Sequence, residues 1–322
     1  MMPRTRPAYN PPIGEPMQDF DVVVIGAGVA GLTAATFAAR YGLKVVVVER
    51  RGAGGQIVNV ESIENFAGFP RGIAGHELGP LLHEQAEAAG AEFRLDTIET
   101  IEFSGADRIL RSATDSWRAR SVIIAAGSAP RLLGIPGEEQ FRGKGVSHCA
   151  SCDGPLFAGL EVCVVGGGDS ALDEALVLVH HAARVTVFHR DASFGAQRAL
   201  LHKAAAASKI ELRLETSVEE ILGEDAVSGV RLRGKGTCAS RVQNVRGVFV
   251  YVGLEPNTAF LRGMLALDGA GHIETDISMK TSVEGIFAAG DIRKGSVAQL
   301  AAAAGDGATA AISAFRYLEQ RG

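Results

Sequence analysis

The sequence predicts an α/β protein of two parallel-sheet units, the second inserted into the first. Three observations predict it. A strand, a glycine-rich turn, a helix and a second strand follow one another over residues 21–49, and the same order recurs 140 residues later. A late strand ending in an acid, followed by an Ala-rich helical run, completes the first unit near the C-terminus. The strand stretches are short continuous apolar runs, as expected for strands covered on both faces.

The first unit opens with DVVVI (Asp21–Ile25), followed by GAGVAG and the helical run LTAATFAAR. Gly26, Gly28 and Gly31 occupy the three glycine positions of a dinucleotide-binding turn. The first permits the turn, the second admits a pyrophosphate to the backbone, and the third lets helix and strand pack. Unpaired N–H groups at the following helix start favour an anion. The strand Val45–Val48 runs into Glu49, 23 residues after Gly26, where a carboxylate suits a ribose hydroxyl. An empty structural turn is the alternative reading of the glycines alone.

The recurrence begins at Val162–Val165, continues through GGGDSA and the helical ALDEALVLVHHAA, and ends in the strand VTVF. Here Gly166, Gly168 and Ala171 hold the three positions, and His189 stands where Glu49 stood. Two such Rossmann-like units in one chain suit a flavin and a nicotinamide cofactor. VIIAA (Val122–Ala126) with Gly127 closes the first unit, and GIFAAGD (Gly285–Asp291) with the run Gln299–Tyr317 returns to it. The predicted domains are therefore residues 19–128 with 254–322, enclosing a central domain at 129–253. Hinges are expected at Ser128–Leu133 and Gly253–Asn257, each with a proline and small residues.

Composition narrows the function classes. A net charge of −5 offers no basic stripe for nucleic acid. No apolar run reaches the roughly 20 residues of a membrane span. Residues 1–18 hold five of the 11 prolines and read as a disordered tail without a signal-peptide core. Four cysteines make no secreted disulfide framework, so a cytoplasmic location is expected.

The segment HCASCDG (His148–Gly154) precedes the second unit. A CxxC spacing lets Cys149 and Cys152 cycle between dithiol and disulfide and can lower one thiol's pKa. A zinc site would need two further ligands at matched spacing, and no second CxxC exists. No metal is expected. Cys163 reads as a core filler within a strand and Cys238 as a loop residue. Asp153 reads as an acid–base partner of a thiolate, or as a turn residue before Gly154. His148 either assists thiol deprotonation or ends a strand. His180, His181, His202 and Lys203 read as helix-end or helix-surface positions.

After residue 18 the chain resembles the low-molecular-weight thioredoxin reductase family, through VVIGAGVAGLTAA, GGQI, IENFAGF, CASCDG, VVGGGDSALDEA, FVYVGLEPNT and TSVEGIFAAGDI. The resemblance implies FAD held by Gly26, Gly28, Gly31, Glu49, Gly55, Gln56, Asn65, Gly127, Asp291 and Gln299. It implies that Cys152 is the cysteine nearest the flavin, that Cys149 meets the external substrate, and that Asp153 is the acid–base residue. It also implies a homodimer.

Three departures stand out. The family reads the NADPH 2′-phosphate with HRR and an arginine four residues later, whereas this chain has His189, Arg190, Asp191 and then Gly195. Losing two charge-assisted hydrogen bonds of about 1.5–3 kcal/mol each predicts roughly two to four orders of magnitude in affinity. Gly166, Gly168, Ala171 and Arg190 are left as a weak site for NADP(H) or NAD(H). The third departure is Ala298, where the family has an arginine before the glutamine.

An intact flavin site beside a weakened nicotinamide site resembles the branch that closes disulfides in small secondary metabolites of the gliotoxin, holomycin and romidepsin type. The first expectation is accordingly a small-molecule dithiol oxidase, with molecular oxygen as acceptor. The alternative is a thioredoxin reductase using NADPH or NADH, with thioredoxin as partner.

Overall fold

The computed structural model describes residues 17–236, 240–261 and 263–322. The chain divides into two compact units. One joins the residues through Val58, Ser62–Ser128 and Pro256–Gly322, and the other holds Asn59–Glu61 and Ala129–Glu255. Cys238 lies outside the described residues. Among the described residues no helix is long and apolar enough to cross a membrane.

The first unit is built on β1 (Gln18–Ile25), α1 (Val29–Arg40), β2 (Val45–Glu49), α2 (Gly75–Ala88), β3 (Glu92–Leu95), β4 (Thr100–Ser104), β5 (Asp107–Arg111) and β6 (Ser116–Ile124). Its strands lie in the order β3-β2-β1-β6-β5-β4. β6 is shared along its length: residues Ser116–Ala119 pair antiparallel with β5, while Val122–Ile124 pair parallel with a late strand. The sequence read only the second half of this long strand. Val22 and Val24 enter one core with Leu32, Ala34 and residues of the last helix, whereas Val23 and Ile25 enter another with Trp117 and Leu261. Burial on both faces is why the run reads VVVI rather than alternating.

The chain passes through β7 (Ser128–Pro130) into the second unit, which comprises β8 (Val146–Ser147), the short α3 (Ala150–Asp153), β9 (Glu161–Gly166), α4 (Asp169–Leu178), β10 (Arg184–Phe188), α5 (Arg198–Ala206) and β11 (Ile210–Arg213). It continues with β12 (Thr216–Gly223), β13 (Val227–Gly234), β14 (Ser240–Asn244) and β15 (Gly247–Tyr251). The parallel sheet has the order β11-β10-β9-β15-β8, with β12-β13-β14 as a separate antiparallel sheet. β16 (Leu254–Pro256) leads back to β17 (Ile286–Ala288), which pairs with β6, and to α6 (Leu300–Glu319). The strand read at Gly285–Asp291 is shorter than expected, because Gly290 turns the chain (φ 76°) into a single 3-10 turn at Gly290–Ile292.

Cys163 is fully buried in β9, and desolvation pushes its thiol well above the ordinary range. A thiol held neutral in this way is inert.

Candidate functional site

In the first unit the glycine turn joins β1 to α1. Gly26 adopts φ 103°, and a Cβ there would stand 2.5 Å from Ala125 O. A Cβ on Gly31 would stand 1.9 Å from Gly26 O, so helix and strand meet backbone to backbone. Gly28 precedes α1 with no side-chain cap and has open space around its Cβ position. The first N–H groups of α1 are thus left for an anion.

Glu49 closes the turn. One of its oxygens accepts Ala27 N–H at 2.8 Å and the other Arg51 N–H at 2.9 Å. Gly55, at φ 63°, packs against Gly28, and Gly54 N–H donates to Ala27 O at 2.8 Å. Gln56 Nε2 donates to Ser128 O, and Ser128 Oγ donates to Asp291 O at 2.9 Å. Asn65 Nδ2 donates to Gln299 Oε1 at 2.9 Å, with Gln299 immediately before α6. Gly127 sits at φ 59°, with its carbonyl taken by Asn257 N–H. Burial raises the Asp291 carboxyl above its usual range, opposed by a hydrogen bond from Ser296 Oγ at 2.8 Å. The positions read as flavin-binding therefore fall into the glycine turn with Glu49 and Gly55, Gln56 and Asp291 bridged by Ser128, the pair Asn65 and Gln299, and Gly127 held by Asn257. The donor set fits a dinucleotide: a cap-free helix start, glycines where a side chain would intrude, and an acid at the end of β2.

Sequence reasoning missed the groups that brace this region. Asp306 of α6 receives both Nε and Nη2 of Arg293 and also Gly290 N–H. That ion pair is nearly buried and holds the Asp291 turn. Its signal was an acid on the mostly apolar stripe of α6, the one charged residue among its buried positions.

In the second unit Cys149 and Cys152 are joined as a disulfide with a Cα–Cα separation of 5.4 Å. Cys149 precedes α3 and its Sγ accepts Cys152 N–H at 3.2 Å, while Cys149 N–H is taken by Ser147 Oγ at 3.1 Å. Cys152 is exposed, with its Sγ 3.8 Å from Asn59 Oδ1, and Ser151 Oγ donates to Asn59 O. Asp153 is half-buried directly after the pair. His148 Nδ1 lies 3.1 Å from Val250 O. A carbonyl only accepts, so that nitrogen carries the proton and the ring is tied to β15. Of the histidines read as surface, His180 is exposed, but His181 is half-buried with its ring against Gly154, because α4 ends at Leu178 and the chain turns back there.

The second glycine turn is also formed. Gly166 has φ 152°, and its absent Cβ leaves room for Tyr251 O and the Ala171 methyl, while Gly168 precedes α4. The loop after β10 folds onto this turn: Gly195 N–H donates to Gly167 O, and the His189 ring lies against Gly167 and stacks on Phe194. Asp191 Oδ2 stands 3.5 Å from His189 Nε2 and 3.6 Å from Arg190 Nε. The cation left to meet a phosphate is therefore already beside a carboxylate.

Comparison with known proteins agrees with this arrangement. Residues 20–307 match the family described as pyridine nucleotide-disulphide oxidoreductase. The chain is 39% identical over 307 residues to a thioredoxin reductase of Peptoclostridium litorale, covering 94% of this chain and 98% of that one. It is 41% identical over 301 residues to that of Treponema pallidum, covering 94% and 98%. The crystal structure of Lactococcus lactis thioredoxin reductase (FR conformation) is similar with a TM-score of 0.91 at 38% identity, over 94% of this chain and 99% of that one.

Proposed function

Because the chain belongs to the thioredoxin reductases within the pyridine nucleotide-disulphide oxidoreductases, we propose that this flavin-dependent enzyme reduces a thioredoxin-type protein disulfide through Cys149 and Cys152. The observation that carries the reading is the Cys149–Cys152 disulfide at the start of α3 in a chain that also forms a complete glycine turn with its acid, Glu49. FAD bound at the first turn, with a nicotinamide dinucleotide at the second, supplies the passage from a two-electron hydride donor to a disulfide. The resemblance further implies a homodimer.

The chain's own residues carry the exchange. Cys149, as thiolate, attacks the substrate disulfide and displaces one substrate sulfur, which takes a proton from Asp153. Cys152, its thiol proton returned to the Asp153 carboxylate, then attacks Cys149 Sγ, restoring the Cys149–Cys152 bond and releasing the second substrate sulfur as thiolate. Cys152 N–H, 3.2 Å from Cys149 Sγ, is placed to stabilise negative charge on that sulfur. His148, tied to Val250 O, orients the strand that enters the pair.

The reductase stands ahead of the dithiol oxidase expected first from the Arg190 segment, since both relatives compared above and the solved structure bear the reductase name. The altered segment bears instead on the electron donor, where Asp191 disfavours a 2′-phosphate. Anaerobic flavin reduction by NADPH, NADH or a small dithiol tests the reading. Bleaching by a nicotinamide donor, followed by turnover of thioredoxin disulfide that is lost in Cys149→Ser and Cys152→Ser, is expected. Bleaching by small dithiols alone would return the oxidase reading and sink this one.

A further inference from the structure

One carboxyl beside the sulfur pair has no part in the exchange described above. Glu174 lies on the second turn of α4, and its Oε2 accepts Ala150 N–H at 2.8 Å. That N–H belongs to the peptide joining Cys149 to Ala150, and Ala150 is fully buried. The same short turn is held on its other side by Cys152 N–H to Cys149 Sγ. Glu174 shares the buried stripe of α4 with Ala171, Ala175 and Leu178, at i, i+3, i+4 and i+7, where an apolar residue would be expected.

The polar surroundings of this carboxyl are acidic. Asp173 of its own helix and Glu61 of the 59–61 segment act on it, as does the Tyr251 hydroxyl at the end of β15. That hydroxyl is buried and makes no hydrogen bond of normal geometry, and the charge of Asp153 of α3 acts on it as well. No cation is among the leading influences on Glu174. Burial, ahead of these charges, lifts the carboxyl to about 7, while the Ala150 N–H and Tyr251 pull it down.

We propose that Glu174 is a positioning residue of the disulfide centre, holding the Cys149–Ala150 peptide while its ionisation governs how readily the reduced pair carries a thiolate. This rests on the reading of Cys149 and Cys152 as the redox pair. The Ala150 contact survives in both states, because a neutral carboxyl still offers its carbonyl oxygen to the N–H and turns its own proton toward the Tyr251 hydroxyl. Only the charge changes. As a carboxylate, Glu174 repels a thiolate one peptide away; as an acid, it does not. Reduction of the disulfide by two electrons and one proton gives one thiol and one thiolate, and a second proton taken up by the Glu174 carboxylate offsets the new charge.

The test uses the full-length flavoprotein, chemically reduced without oxygen, so it depends on neither a nicotinamide donor nor thioredoxin turnover. Iodoacetamide alkylation of Cys149 and Cys152 is followed by peptide mass spectrometry from pH 5.5 to 9 in wild type, Glu174→Gln and Tyr251→Phe. Glu174→Gln is expected to match wild type below pH ~6 and to react about 3- to 10-fold faster above pH ~8, the difference opening across neutrality. Tyr251→Phe, which removes a hydroxyl that favours the carboxylate, moves the wild-type inflection to higher pH. A ratio between Glu174→Gln and wild type that is constant with pH overturns the proposal and leaves a structural hydrogen bond. Should Glu174→Gln fail to fold, infrared difference spectra of wild type decide: a protonated-carboxyl band that grows on reduction at pH 7.5 and shifts in Tyr251→Phe supports it, and no such band overturns it.

Discussion

The Glu49 carboxylate at the end of β2 accepts Ala27 N–H at 2.8 Å, fastening the first glycine turn to the neighbouring strand. This one bond links the two ends of a pattern that the sequence separates by 22 residues. Glu49→Gln keeps the shape but leaves one acceptor oxygen for the two N–H groups of Ala27 and Arg51, so the remaining bond loses its charge assistance and the other is lost, a cost of about 1–3 kcal/mol. Flavin retention is expected to weaken roughly fivefold or more, read by fluorescence titration of the apoprotein with FAD.

Gly31 and Gly28 separate packing from binding. Gly31→Ala drives a methyl into Gly26 O, and neither backbone can yield without moving the helix from the sheet. A loss of about 1–3 kcal/mol is expected, seen as a lower Tm with reduced flavin content. Gly28→Ala meets open space at an ordinary backbone angle, φ −75°. It should leave the Tm of the apoprotein unchanged while reducing FAD affinity, since its methyl would project at the uncapped start of α1. Equal losses of stability in both variants would count against this division.

Asp191 lies beside the one cation of its segment. Asp191→Ala frees Arg190, so the rate of flavin reduction by NADPH relative to NADH should rise, by about tenfold for one recovered charge-assisted contact. Stopped-flow absorbance at the flavin band measures the ratio. No change would mean that the Arg190 side chain does not meet the nucleotide.

Glu174 also gives the protein a distinctive pH dependence. Its folded carboxyl is raised from 4.5 to about 7, so the folded state keeps a proton that the unfolded chain has released. Wild-type stability relative to Glu174→Gln should therefore be highest below pH ~4.5 and fall as pH rises to ~7, by about 3 kcal/mol in total, then level off. Denaturant melts of both proteins at several pH values give the difference directly. A difference that grows in the opposite direction would show that the carboxylate is stabilised where it lies.

Much of the site was legible because its chemistry is local. The spacing of Gly26, Gly28 and Gly31 within one turn and the CxxC of Cys149 and Cys152 are each set by a few bonds of backbone, so residue order is enough to recognise them. The acid of Glu49 was legible for a related reason: a strand, a helix and a strand of ordinary length carry the chain back to the same sheet edge. Glu174 was not. Its meaning arises only when α4 packs against the turn that carries Ala150, 24 residues earlier, and a half-buried acid on a helix stripe does not name its partner. The ion pair of Asp306 with Arg293 was hidden in the same way.

From residue order alone came the fold class, the repeated glycine turn and the sulfur pair, since each is written in neighbouring residues under steric rules that hold in any context. Tertiary structure alone decided which acids lost their water, which carbonyl holds His148, and that Asp191 sits against Arg190. Burial and charge proximity depend on distances between segments far apart in the chain, and those distances exist only after the chain has folded.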